Sequence, residues 1–204
     1  MLLLPGASNS ATILDSFNVG GSSISTTISK VSGPETGLSL SGVANGKRTT
    51  FISGSTGGLI SVTVNNAATL GQAIFTSAGT TSAFFGVDYG AVSGVNIDLS
   101  AGNQIDVSVI DASKAASLEV WLRSPGFSNS QFSTTLPIGA SEFLIPFSSF
   151  TNVNFGSIEI ARVLIVAPNG GRFALGSVIS SVPEPSCSIL MLGGLGGLLL
   201  RRRR

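Results

Sequence analysis

Apolar and polar residues alternate in short runs along most of the chain. Ile60, Val62 and Val64 are separated by Ser61 and Thr63. Ile105, Val107 and Val109 repeat the pattern with Asp106 and Ser108, as do Leu118, Val120 and Leu122 with Glu119 and Trp121. A period of two over such lengths predicts half-buried β-strands. Further strands are predicted over residues 24–30, 38–43, 49–53, 69–76, 82–89, 95–99, 142–147, 157–166 and 172–180. Turn residues separate them: Gly20-Gly21, Gly33-Pro34, Asn45-Gly46, Gly57-Gly58, Asn65-Asn66, Ala101-Gly102-Asn103, Pro125-Gly126 and Asn169-Gly170-Gly171. Glycine and asparagine supply the positive φ that tight turns need. No amphipathic helix is expected, and Asp111–Ala116 is read as at most one helical turn. About a dozen strands with turns every ~8–12 residues predict an all-β protein built as a single β-sandwich, jelly-roll-like. A parallel β-helix is the alternative, but no fixed short repeat supports it.

Composition narrows the function. Only 10% of the 204 residues are charged, while 43% are hydrophobic. That combination excludes a disordered chain and a coiled coil. Glycine contributes 26 residues, serine 33 and threonine 15, so the surface is rich in hydroxyls. There is no histidine, which removes Ser-His-Asp and Cys-His catalysis and the imidazole metal ligand. The single cysteine, Cys187, cannot form an intramolecular disulfide or a cysteine-type zinc site. Residues 1–182 carry seven basic and nine acidic side chains, without the basic footprint of a nucleic-acid binder.

The C-terminus has three parts. Val182-Pro183-Glu184-Pro185 comes first, and its prolines stop the preceding strand. An uncharged segment from Ser186 to Leu200 follows, then Arg201, Arg202, Arg203 and Arg204. As a helix the 15-residue segment would be roughly 22 Å long, against a hydrocarbon core of ~30 Å. Snorkelling arginines and local thinning make up part of the difference, and the arginine run places this end on the cytoplasmic side. This order of motif, apolar segment and arginines resembles the PEP-CTERM sorting signal of Gram-negative and related bacteria. The resemblance implies export, transient anchoring in the inner membrane, processing by an exosortase, and delivery to the cell surface or extracellular matrix. Its implied partners are the exosortase and the secretion machinery.

Three regions are therefore expected. Residues 1–11 read as the remnant of a secretory signal peptide whose beginning lies upstream of Met1. Residues 12–181 form the β-sandwich ectodomain. Residues 182–204 form the sorting signal, with a short transmembrane helix and an arginine-rich end. Gly46-Lys47-Arg48, Phe84–Gly90 and Gly171–Val178 also resemble parts of ectodomains that precede such tails, which implies a sandwich similar to carbohydrate-binding modules.

Several residues are candidates for chemistry. Trp121 and Tyr89 offer flat faces for sugar stacking, and Trp121 points away from Leu118, Val120 and Leu122 in a regular strand. Asp98, Asp106 and Asp111, with Asn96 and Asn103, are the densest oxygen ligands and a candidate Ca²⁺ site, although their spacing matches no calcium loop. Otherwise no cofactor is expected. Arg48, Arg123, Arg162 and Arg172 are read either as contacts for acidic polysaccharide or as partners of Asp and Glu. Glu119, Glu142 and Glu159 would serve a glycosidase only if two lay within about 5–9 Å across a bond. The reading from sequence is a non-catalytic, exported protein, structural or adhesive in a polysaccharide-rich matrix. The alternative is a discrete carbohydrate-binding module, with a carboxylate-dependent hydrolase behind it.

Overall fold

The computed structural model describes residues 11–27, 31–40, 43–54, 58–65, 70–78, 82–90 and 96–182. They form thirteen strands: β1 (Thr12–Asp15), β2 (Ser22–Thr26), β3 (Val31–Thr36), β4 (Lys47–Gly54), β5 (Ile60–Val64), β6 (Ala73–Ser77), β7 (Ala83–Tyr89), β8 (Gln104–Ala112), β9 (Ala116–Arg123), β10 (Ser130–Leu136), β11 (Ser141–Pro146), β12 (Ile160–Ala167) and β13 (Gly171–Ser181). One sheet runs β11-β8-β13-β6-β5-β2, with β1 paired to the far half of β13. The other runs β10-β9-β12-β7-β4-β3. Every pairing is antiparallel, and the two sheets form a sandwich. Residues 1–10 and 183–204 lie outside the described residues, and with them Pro183, Glu184, Pro185, the apolar segment and Arg201–Arg204. Val182 directly follows β13. Among the described residues no helix is long and apolar enough to cross a membrane.

The alternation read from sequence sets which side chains face the core. Along β9 buried and half-buried positions alternate without a break, so Leu118, Val120 and Leu122 point inward while Glu119, Trp121 and Arg123 point outward. Ile105, Val107 and Val109 of β8 face them from the opposite sheet's inner side, all at 1% exposure or less. Phe85 sits at the centre, with ring centroids 5.5 Å from Phe75 and 6.0 Å from Phe173. Burying each large side chain contributes roughly 1.5–3 kcal/mol, so a two-sheet core of this width holds the fold without disulfides.

One end of the sandwich is closed by charge. Asp15 of β1 and Arg48 of β4 are both fully buried, although they belong to opposite sheets. Arg48 Nη1 donates to both Asp15 oxygens at 3.0 Å, while its Nε and Nη2 donate to Glu35 Oε2 at 2.9 and 2.8 Å. Nη2 also donates to the Val19 carbonyl, and the guanidinium lies 5.6 Å from the Phe17 ring centroid. Gly20 closes over this cluster at φ +75°; a Cβ there would lie 2.6 Å from Glu35 Oε1 and 2.9 Å from Arg48 Nη2. Burial outweighs the pull of Arg48 on the Asp15 carboxyl and holds its pKa up at about 6.

Several elements differ from expectation. Val43 and Ile97, each expected within a strand, make only single bridges, to Asp15 and Ile158. Asp111 and Ala112 complete β8 rather than starting a helical turn, and the bend at Ser113-Lys114 leads into β9. Gly33-Pro34 is not a turn but lies inside β3, where an edge position tolerates the missing proline N–H. Strands β1, β3 and β10 carry too little alternation to be read beforehand.

Candidate functional site

The outer face of the six-stranded sheet carries the most varied chemistry. Strand register places Gln131, Trp121, Arg162, Asp88, Thr49 and Pro34 side by side, one from each strand. At ~4.8 Å between strands this row is roughly 24 Å long. The adjacent row brings Ser133, Glu119, Leu164, Gly86 and Phe51 together.

Hydrogen bonds fix the centre of this face. Trp121 is half-buried, and its indole N–H donates to Glu119 Oε2 at 2.9 Å. Arg162 forks onto Asp88, Nε to Oδ1 at 2.5 Å and Nη2 to Oδ2 at 2.8 Å. That hydrogen bonding holds the guanidinium more firmly protonated than usual. The same guanidinium lies 5.0 Å from the Phe51 ring centroid. The tip of the Phe51 ring packs against Gly86, where a Cβ would come within 2.1 Å of its Cζ. Arg123 pairs with Glu159, Nε to Oε2 at 3.2 Å. Trp121, Leu122, Arg123, Asn129, Ile160 and Arg162 line a hollow of about 110 Å³ beside the indole. The arrangement offers one aromatic face, fixed N–H donors, carboxylate acceptors, and the exposed amides of Gln131 and Asn129.

Trp121 therefore stands where the alternation placed it, on the solvent side of β9. Tyr89 does not: its side chain is fully buried in the core, so it cannot receive a sugar. Its position on β7 is inward because Asp88 takes the outward one. The Tyr89 hydroxyl has no hydrogen-bond partner of ordinary geometry, and its burial beside the Asp15 carboxylate holds its pKa well above the usual phenol value.

The three aspartates are not brought together as a Ca²⁺ site. Asp98 accepts from the backbone N–H and hydroxyl of Ser100. Asp106 accepts from Gln104 and Ser181, and Asp111 pairs with Arg172. Asp106 and Asp111 lie five residues apart on one strand, about 17 Å in extended chain. Among the described residues no group of three or more acidic or thiol side chains could hold a metal. The hydrogen bonds to Ser100 hold the Asp98 carboxyl below its ordinary range.

All four candidate arginines are paired with carboxylates: Arg48 with Asp15 and Glu35, Arg123 with Glu159, Arg162 with Asp88, and Arg172 with Asp111. Glu142 lies on β11 in the other sheet, away from Glu119 and Glu159. The Glu159 N–H donates to the Arg123 carbonyl, four residues along β9 from Glu119, or about 13 Å of strand. Each carboxylate is engaged by a neighbour instead, Glu119 by the Trp121 indole and Glu159 by Arg123. Phe51, Asp88 and Gln131 join the site only through strand register, which single-strand alternation does not carry, and Asn129 through the turn that leads into β10.

No protein-family model matches the chain, and no curated protein matches it by sequence. Solved structures share a limited likeness with it. A family 11 carbohydrate-binding module from Clostridium thermocellum, in complex with a β-1,3-1,4-mixed-linked tetrasaccharide, is 16% identical with a TM-score of 0.45, over 86% of this chain and 96% of that one. A CBM4 structure is 13% identical with a TM-score of 0.35, over 59% and 74%. An agarase, AgWH50C, is 10% identical with a TM-score of 0.41, over 65% of this chain and 22% of its own. Each of these TM-scores lies below 0.5, and no ligand or site residue transfers from these proteins to this chain.

Proposed function

We propose that this is a non-catalytic, exported β-sandwich protein that binds neutral polysaccharide on the outer face of its six-stranded sheet. The observation that carries the reading is Trp121. It is a half-exposed indole held by Glu119 and flanked on the neighbouring strands by Gln131 and by Arg162, itself paired with Asp88. An aromatic face packs against the C–H face of a pyranose while neighbouring amides and carboxylates bond its hydroxyls. Such sites combine an apolar surface with a few placed polar groups.

The paired charges select the ligand class. Arg123 and Arg162 face Glu159, Asp88 and Glu119, so the patch holds two cations against three carboxylates. A uronic-acid polymer would have to displace those carboxylates, whereas a neutral chain uses them as acceptors. A discrete binding module with one defined site is thus favoured over diffuse adhesion. The tail that resembles a PEP-CTERM signal supports inner-membrane anchoring, exosortase processing, and release to the cell surface or matrix.

Affinity gel electrophoresis tests the binding. The full chain should be retarded by a soluble mixed-linked β-glucan and not by alginate. Trp121→Ala should weaken retention by about thirtyfold, the effect of losing a central aromatic anchor worth ~2 kcal/mol. Equal retention of both proteins would overturn the assignment of the site.

A further inference from the structure

We propose that the chain self-associates edge to edge through β10, joining two six-stranded sheets into one twelve-stranded sheet about a two-fold axis. Among the described residues the two sheets end in the strands β2, β3, β10 and β11, while the open side of the four-residue β1 is bridged by Val43. An open edge presents unpaired N–H and C=O groups, and proteins blunt such edges with proline, charge or short strands. Three of the four are blunted. β3 contains Pro34 and Glu35, and β11 contains Glu142 and ends in Pro146. β2 has five residues, and its Ser22 hydroxyl is tied across to Glu35.

β10 is different. Its seven residues, Ser130 to Leu136, include no charge, proline or glycine. It pairs with β9 at all seven positions without a bulge. Gln131, Ser133 and Thr135 are exposed, and among the described residues no strand pairs with its other side. Uncharged, proline-free segments of this length and β-propensity pair readily with copies of themselves.

A second copy fits this edge in full antiparallel overlap. Centred on Ser133, the overlap places Gln131 opposite Thr135 and Phe132 opposite Thr134, with Ser133 opposite its own copy. Every outward pair is then hydroxyl or amide, and no like charges meet. A two-fold axis perpendicular to the sheet keeps both outer faces on one side. Three strand spacings of ~4.8 Å and four residues of ~3.4 Å then put the two Trp121 side chains roughly 20 Å apart on one surface. The dimer does not depend on the glycan reading. Its consequence does: two sites on one face would engage one polymer with avidity.

Sedimentation velocity of the full chain over a concentration series tests the proposal. The native chain should pass from monomer to dimer. Ser133→Lys and Ser133→Glu should each move that transition to about tenfold higher concentration or abolish it, because identical charges meet on the axis. An equimolar mixture of the two should restore a dimer, which failure to fold could not do. A native chain that stays monomeric would overturn the proposal. So would association indifferent to both substitutions.

Discussion

Replacing Arg48 with methionine should strand two carboxylates inside the sandwich. Arg48 is fully buried, donates to both oxygens of Asp15 and to Glu35, and thereby ties β1 of one sheet to β3 and β4 of the other. Glu35 keeps 12% exposure and can turn toward water, but Asp15 has none. Breaking a buried pair from one side costs about 3–5 kcal/mol, since the remaining charge is left uncompensated. For a domain of this size that lowers Tm by roughly 6–20 °C. Calorimetry on the native chain, Arg48→Met, Asp15→Asn and the double variant checks this. The double variant should recover much of the loss, because the fully buried charge is gone and only Glu35, which keeps 12% exposure, still carries one there. The pH dependence gives a second reading. The folded-state pKa of Asp15 is about 6, raised from 3.8, so the folded state binds more protons between those values. Its contribution to stability is therefore present below about pH 4 and is lost as pH rises toward 6, by about 3 kcal/mol at ~1.4 kcal/mol per pKa unit. Asp15→Asn should remove that decline. A loss below about 1 kcal/mol in Arg48→Met, or a pH slope untouched by Asp15→Asn, would refute the reasoning.

Gly86→Ala should displace the Phe51 ring that covers it and cost about 1–3 kcal/mol in thermal unfolding, while also weakening glycan retention through Arg162. Arg162→Ala should leave Asp88 unpaired on the sheet face and reduce retention on neutral glucan. Retention by the native chain should change little between about 0.05 and 0.5 M NaCl, because screening acts on charge and the ligand has none. Gly20→Ala should destabilise the fold by about 1–3 kcal/mol, read in urea unfolding, as positive φ and the Glu35–Arg48 contact are both violated.

The strands of the core were legible because burial on one face imposes a period of two. β5, β8 and β9 stand at Ile60–Val64, Gln104–Ala112 and Ala116–Arg123, where Ile60, Ile105 and Leu118 mark the apolar phase. The same alternation put Trp121 outside. Edge strands escaped it. β10 faces the core with Phe132 and ends on Leu136 among hydroxyls, and β3 hides behind a Gly-Pro pair that reads as a turn. Tyr89 was misplaced because the phase of β7 is obscured by Phe84, Phe85 and Val87 around Gly86. The partners of Trp121 were not legible at all. Arg162 lies 41 positions from it and Asp88 lies 33, and only antiparallel register sets them on one row. The pairing of Arg48 with Asp15 likewise depends on the two sheets meeting, a relation that no local pattern encodes.

The central claim concerns one side chain, and the chain supplies its own probe. Trp121 is the sole tryptophan, so emission excited on the red edge, where the single tyrosine does not absorb, reports on that indole alone. Titration with a soluble mixed-linked β-glucan should shift or quench the emission along a saturable curve, and a monosaccharide at the same mass concentration should act far more weakly. Emission that stays constant while the glucan is demonstrably bound would contradict the placement of the site on Trp121. Constant emission without binding would contradict recognition of this neutral polysaccharide.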